Sequence, residues 1–177
     1  KWNWFSVLGF INVSVTGSLA VLGLGGIWFS IKEAFFPGII GIFVYFSSKS
    51  QNPFIKTFIV NPHTLNVDKI EEQLRVHQKE NEFSMLLKKG TQLLSFSFFF
   101  SAILNFVLAE RIFLPLDMSL DSEAKSQILN QQIAQMTTWS SVVILVPSMI
   151  FLMAILWFLL REIRLLTGLK TEEILKS

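Results

Sequence analysis

Hydrophobic positions in this chain gather into long uncharged blocks. Residues 138–160, TWSSVVILVPSMIFLMAILWFLL, hold no charge over 23 positions. About 20 apolar residues suffice to cross a bilayer as a helix. The block stops abruptly at Arg161, Glu162 and Arg164. A second uncharged run covers residues 91–109, and a third covers 2–31. The third is longer than one span needs and contains Gly23, Gly25 and Gly26. Clustered glycine marks a turn. The pattern therefore predicts four transmembrane helices, at about 5–23, 27–47, 91–113 and 138–160. The second must begin ahead of Lys32 and Glu33. The uncharged stretch 34–48 covers only 15 residues, which is roughly 22 Å of helix against a core of about 30 Å. Pro37 is expected to kink it, and Pro147 to bend or loosen the last span.

Between the blocks the pattern turns polar. Residues 49–89 form a loop with turn signals at Asn52-Pro53 and Asn61-Pro62. A short interfacial helix is predicted after Pro53, with Phe54, Ile55, Phe58 and Ile59 on one face. Asn66 is the expected N-cap of a helix over about 67–89, with acids in its first turns and Lys88 and Lys89 in its last. Its apolar stripe, Val67, Ile70 and Leu74, fades at His77 and resumes at Phe83. Such a helix rests on the membrane surface or binds a partner protein. Leu114-Pro115-Leu116 ends the third span. Asp121 caps a short helix over about 122–136 within an opposite loop, 114–137. The tail, 161–177, is amphipathic and interrupted at Gly168. The fold class is all-α: a polytopic α-helical membrane protein in a single membrane domain, with amphipathic helices in the loops.

Composition supports this reading. Hydrophobic residues make up 51% of the 177, and charged residues 16%, against about 25% in a soluble domain. The 18 Phe suit a lipid-facing surface. Positive charge then orients the spans, since loops rich in Lys and Arg stay in the cytoplasm. The 49–89 loop carries seven such residues and the tail four, against two in 110–138. With four spans, the first two segments fall on one side, so both ends of this chain are expected to be cytoplasmic. The net charge of +2 follows from those loops and gives no nucleic-acid signal. Lys1 stands where an initiator Met would, so a processed or truncated chain is expected, with helices preceding it. No cleavable signal peptide is visible.

This orientation brings four charges to one depth. Lys32 and Glu33 lie about 8 Å inside the outer end of the second helix, and Glu110 and Arg111 lie near the outer end of the third. Charges inside a membrane usually pair or line a polar cavity. Lys32 or Glu33 is expected to pair across helices with Glu110 or Arg111, unless each snorkels separately to the interface. Asn105, five residues deeper in the third span, bridges helices or contacts a ligand. These five residues are the candidate ligand-binding or inter-helix polar cluster.

Other chemistry is not suggested. The glycines at 23–26 lack the Lys-Ser/Thr of a phosphate loop. His63 and His77 have no second ligand at metal spacing. Cysteine is absent. No nucleophile and base can be named, so no catalytic residue, metal or cofactor is expected. Small residues between Gly9 and Gly26 allow close helix packing, and a homo-oligomer is left open.

Five stretches carry a resemblance: NWFSVLGFINVSVTGSLAVLG from Asn3, WFSIKEAFFPGIIG from Trp28, SAILNFVLA from Ser101, NQQIAQMT from Asn130, and residues 147–169. In their order, and in Lys32-Glu33 before Pro37 and Asn105 between Leu and Phe, the chain resembles an uncharacterised group of bacterial inner-membrane proteins. That group is distantly similar to the intracellular septation protein A family. The resemblance implies six helices in the full-length protein, both ends inside, and a link to envelope maintenance or cell division. It brings no catalytic residues. The leading expectation is a non-enzymatic inner-membrane protein acting through protein partners, engaged by 66–89. The alternative is a small transporter or lipid-handling protein that receives a polar or anionic group at the outward cluster.

Overall fold

The computed structural model describes residues 4–22, 24–60, 64–117 and 119–176; the side chains at 4, 5, 8, 20, 58 and 59 lie outside that description. Gly23, the Asn61-Pro62 turn, His63, and the Phe58 and Ile59 side chains of the expected interfacial face therefore fall outside it. The described chain is helical throughout: α1 (Trp4–Val21), α2 (Ile27–Ser47), α3 (Phe54–Ile59), α4 (Val67–Val76), α5 (Glu80–Ile112), α6 (Ser122–Ser140), α7 (Val146–Thr167) and α8 (Thr171–Ile174). A π-helical turn, Ser141–Leu145, joins α6 to α7. Among the described residues, three helices are long and apolar enough to cross a membrane: α2, α5, and the 46-residue run Ser122–Thr167.

Two boundaries differ from the sequence reading, each for a local reason. The single helix expected over 67–89 is broken. α4 ends at Val76, Gln78 takes a positive φ of 56°, and α5 starts at Glu80. The break is a hydrogen-bonded stop, with the Lys79 amide donating to Leu74 O (2.8 Å) and the Gln78 amide to Arg75 O (3.2 Å). That is a Schellman turn with Gln in the place usually taken by Gly. The new helix then runs through Gly90 without pause into the apolar block. On the other side, the helix beginning at Ser122 does not end near 136. Asp121 caps it as expected, accepting from the Ala124 amide (2.7 Å). The polar residues beyond stay helical because their hydroxyls bond back into the preceding turn: Thr137 to Ile133 O, Thr138 to Ala134 O, Ser140 to Met136 O. The widened π turn ends two residues before Pro147. A proline lacks the N–H for its i−4 carbonyl and crowds it, and a turn with i→i+5 bonding absorbs that conflict.

The described residues form two compact units. One unit is residues 1–38 and 100–147. Its core is Phe29, Ala109, Phe113, Leu129 and Met136. The Phe29 and Phe113 rings stack with centroids 4.5 Å apart. The turn between α1 and α2 allows this: Gly26, at φ +58°, lies against Phe113 O and Pro115, which a Cβ there would meet at 3.6 Å.

The other unit is residues 39–99 and 148–177. Here α3, α4, the start of α5, the end of α7 and the tail close around Ile55, Ile70, Leu74, Leu86, Leu87, Leu159, Ile163 and Ile174. Gly168, at φ +71°, stops α7, and its amide donates to Arg164 O (2.8 Å). The tail then pairs with the segment before α4. The Asn66 amide donates to Ile174 O (2.8 Å) and the Lys176 amide to Thr64 O (3.1 Å). Asn66 does precede α4, but its side chain makes no capping bond. Within the same unit, Thr91 Oγ1 donates to Leu87 O (2.8 Å) and accepts from the Ile55 amide (3.3 Å). Ser95 Oγ donates to Gly41 O (2.8 Å).

Candidate functional site

Lys32 and Glu33 sit in the second turn of α2, within the first unit. Lys32 Nζ lies 2.6 Å from Glu33 Oε1, and the two side chains are 9% and 21% exposed. The pair forms between chain neighbours, not across helices. Glu110 and Arg111 are exposed in the last turn of α5 and enter no ion pair among the described residues. Asn105 donates through Nδ2 to Ser101 O (2.8 Å) in its own helix, so its amide serves α5 itself. The five residues share one unit, but only Lys32 and Glu33 are joined.

What surrounds Lys32 is apolar. A groove of about 270 Å³ runs between α1 and α2, lined by Ile11, Val15 and Leu19 on one side and Trp28, Ile31, Lys32, Phe35 and Phe36 on the other. Lys32 is its one charge. An ammonium so shielded is tolerated because Glu33 neutralises it at hydrogen-bond distance. Such a groove suits a hydrocarbon chain or an apolar helix face, with a single polar anchor. Ser30, fully buried in the same turn, has an Oγ with no hydrogen-bond partner among the described residues.

The second unit holds a different site. Gln51, Pro53 and Lys56 before and within α3, Glu71, Leu74 and Arg75 on α4, and Glu80, Phe83, Ser84 and Leu87 on α5 line a cavity of about 340 Å³. Two cations and two anions face one space over an apolar floor. The sequence pattern does not reveal it, because it predicts a single helix over 67–89. The Schellman turn at Gln78 ends α4, and Glu71, Arg75 and Glu80 then line one cavity. The usable signal was the lapse of the apolar stripe at His77.

Among the described residues no three His, Asp or Glu side chains come together as a metal cluster. In the loop before α6, the Ser119 amide and hydroxyl both donate to Asp117 Oδ1 (2.9 and 2.8 Å). These bonds favour the carboxylate and hold Asp117 below its ordinary pKa.

An all-helical chain with three helices able to span a bilayer, a shielded ion pair in an apolar groove and a folded polar unit suggests a membrane protein. Compared with known protein families, curated proteins and solved structures, the chain matches none.

Proposed function

We propose that this is a non-enzymatic integral protein of the bacterial inner membrane, serving envelope maintenance or cell division by holding a protein partner at its cytoplasmic cap. The cap is the unit built from α3, α4, the start of α5 and the tail. The observation that carries this reading is the cavity between Lys56, Glu71, Arg75 and Glu80. Mixed charge over an apolar floor is how polar rims and apolar centres combine in protein interfaces. In the proposed topology α1 is a fourth span beside α2, α5 and the Ser122–Thr167 run. The 49–89 loop and both ends of this chain are then cytoplasmic, as the Lys and Arg count favours. The resemblance to septation-protein-like membrane proteins supports two further helices upstream and the envelope role.

The test is site-specific photo-crosslinking in cells from position 51, at the cavity rim. A discrete adduct should form, vanish in Arg75→Glu, and persist in Lys69→Glu, which changes an exposed charge elsewhere on α4. An adduct indifferent to Arg75, or none at all, sinks the partner reading. Deleting 66–89 would be a poor test, because Ile70, Leu74, Leu86 and Leu87 belong to the core.

A second reading, transport or lipid handling, is favoured by the shielded Lys32 in its apolar groove. Under it, Lys32→Ala should abolish lipid or solute movement in reconstituted vesicles while helicity is retained. Unchanged movement would rule it out.

A further inference from the structure

Where α7 gives way to the tail, in the second unit, a groove of about 570 Å³ opens, and its charged walls are Arg161, Arg164 and Lys170, with Trp157 at its apolar end. No carboxylate lines it. Two acids lie beside it: Glu162 Oε1 is 3.8 Å from Nη1 of Arg161, whose side chain stays 58% exposed, and the Glu173 carboxylate accepts from the Lys170 backbone amide (2.9 Å). The Arg161 guanidinium lies 5.8 Å from the centre of the Trp157 ring.

The position of this groove along the chain gives it a meaning. Residues 142–160 carry no charge, and Arg161 is the first cation after them. Indole rings favour the membrane–water interface, so Trp157 and Arg161, one turn apart, straddle the level where lipid phosphates lie. Arg161 and Arg164, at i and i+3, share a helix face. The left-handed Gly168 turns the chain so that Lys170 and Thr171 form the opposite wall. Guanidinium forks match phosphate oxygens in geometry and charge, and basic pockets on the cytoplasmic side of a span are a known means of holding acidic headgroups. A free phosphate would have no use for the apolar end of the groove, whereas an acyl chain continues along it past Trp157 and Leu160.

We propose that this groove binds the headgroup of an anionic phospholipid, with Arg161, Arg164 and Lys170 around the phosphate and Trp157 against the start of an acyl chain. The inference rests on α7 crossing the bilayer and is independent of the partner-binding reading. The full chain, purified in mixed micelles with equal phosphatidylglycerol and phosphatidylcholine, tests it by native mass spectrometry of retained lipid. Phosphatidylglycerol should be retained in roughly tenfold preference. The preference should collapse in the Arg161→Gln/Arg164→Gln/Lys170→Gln variant, and stand in a Lys69→Gln/Lys88→Gln/Lys89→Gln variant, which removes three exposed charges elsewhere. Should the triple variant lose helicity, Arg164→Gln alone is read, with a several-fold loss expected. Equal retention of the two lipids, a triple variant with undiminished preference, or displacement of the lipid by millimolar inorganic phosphate would each overturn the proposal. Arg75→Glu, which tests the partner cavity, should leave lipid retention unchanged, so the two ideas fail separately.

Discussion

Gly90 shows how much of this architecture depends on single side chains. It lies in the interior of α5, where glycine costs about 1 kcal/mol relative to alanine. The structure gives the reason for it: a Cβ there would meet Leu159 Cδ2 at 2.8 Å and Ile55 Cδ1 at 3.1 Å. Both neighbours are buried in the core of the second unit, so their side-chain tips must shift within that core to admit it. Thr91, one residue on, bonds the α3 backbone through its hydroxyl, so α3 is held close to α5 at this level. Small residues are how helices approach closely where lipid removes the hydrophobic drive between them. Gly90→Val should therefore destabilise the protein by about 1–3 kcal/mol through overpacking. Gly38→Ala, at a site with nothing within 4 Å, should be neutral or stabilising by up to about 1 kcal/mol. Thermal melts of both variants in one detergent check the contrast. Equal shifts would show that the close approach at Gly90 carries no weight.

At the scale of elements, the apolar blocks made the helices legible, and the punctuation within them was only partly so. The α1–α2 turn at Gly26, the cap at Asp121 and the stop at Gly168 were readable because each rests on one residue of special chemistry. The break at Gln78 was not. A glutamine in left-handed conformation is held there by the local backbone bonds of Lys79 and Gln78 to the end of α4, at a position where glycine would have announced the stop. Likewise, nothing in a run of Thr and Ser says whether a helix stops or continues. The back-bonded hydroxyls of Thr137, Thr138 and Ser140 decided it. Because Gln78 takes a conformation suited to glycine, Gln78→Gly should stabilise by roughly 0.5–1 kcal/mol. Gln78→Pro, whose φ is fixed near −65°, should instead release α4 and expose Leu74. Limited proteolysis across 64–80 reads both: slower cleavage for the first variant, faster for the second. Unchanged cleavage in Gln78→Pro would mean that the turn does not hold α4 in place.

For the molecule as a whole, the candidate cluster marks where sequence runs out. Counting residues along a helix gives an expected depth, and Lys32, Glu33, Glu110 and Arg111 fall in one compact unit. It does not give the direction in which each side chain leaves its helix axis. The long Lys32 side chain reaches its neighbour Glu33, while Glu110 and Arg111 end on the exposed side of α5. The cap cavity was hidden for a related reason. Its four charges come from three segments whose closure depends on the tail, through Ile174 and the pairing of Asn66 and Thr64 with it.

The sidedness of the chain joins these scales, because every functional proposal above assigns a face to a residue. If the Lys and Arg bias orients the spans, the cap and the Arg161–Arg164 groove share the cytoplasmic side. Asp121 and α6 then begin outside. The chain contains no cysteine, so single-cysteine variants report position without background. Lys69→Cys and Ser126→Cys replace exposed residues at opposite ends of the proposed topology. A membrane-impermeant maleimide applied to intact spheroplasts should label position 126 and spare position 69 until the membrane is permeabilised. The reverse pattern would invert the molecule, put the basic groove against the wrong leaflet, and remove the cap from any cytoplasmic partner. Labelling of both positions in sealed cells would mean an even number of spans between them, zero included, and would overturn a crossing by α5 alone. Only α5, or α5 with a displaced neighbour, separates 69 from 126, so protection of one and not the other is direct evidence that α5 crosses the bilayer.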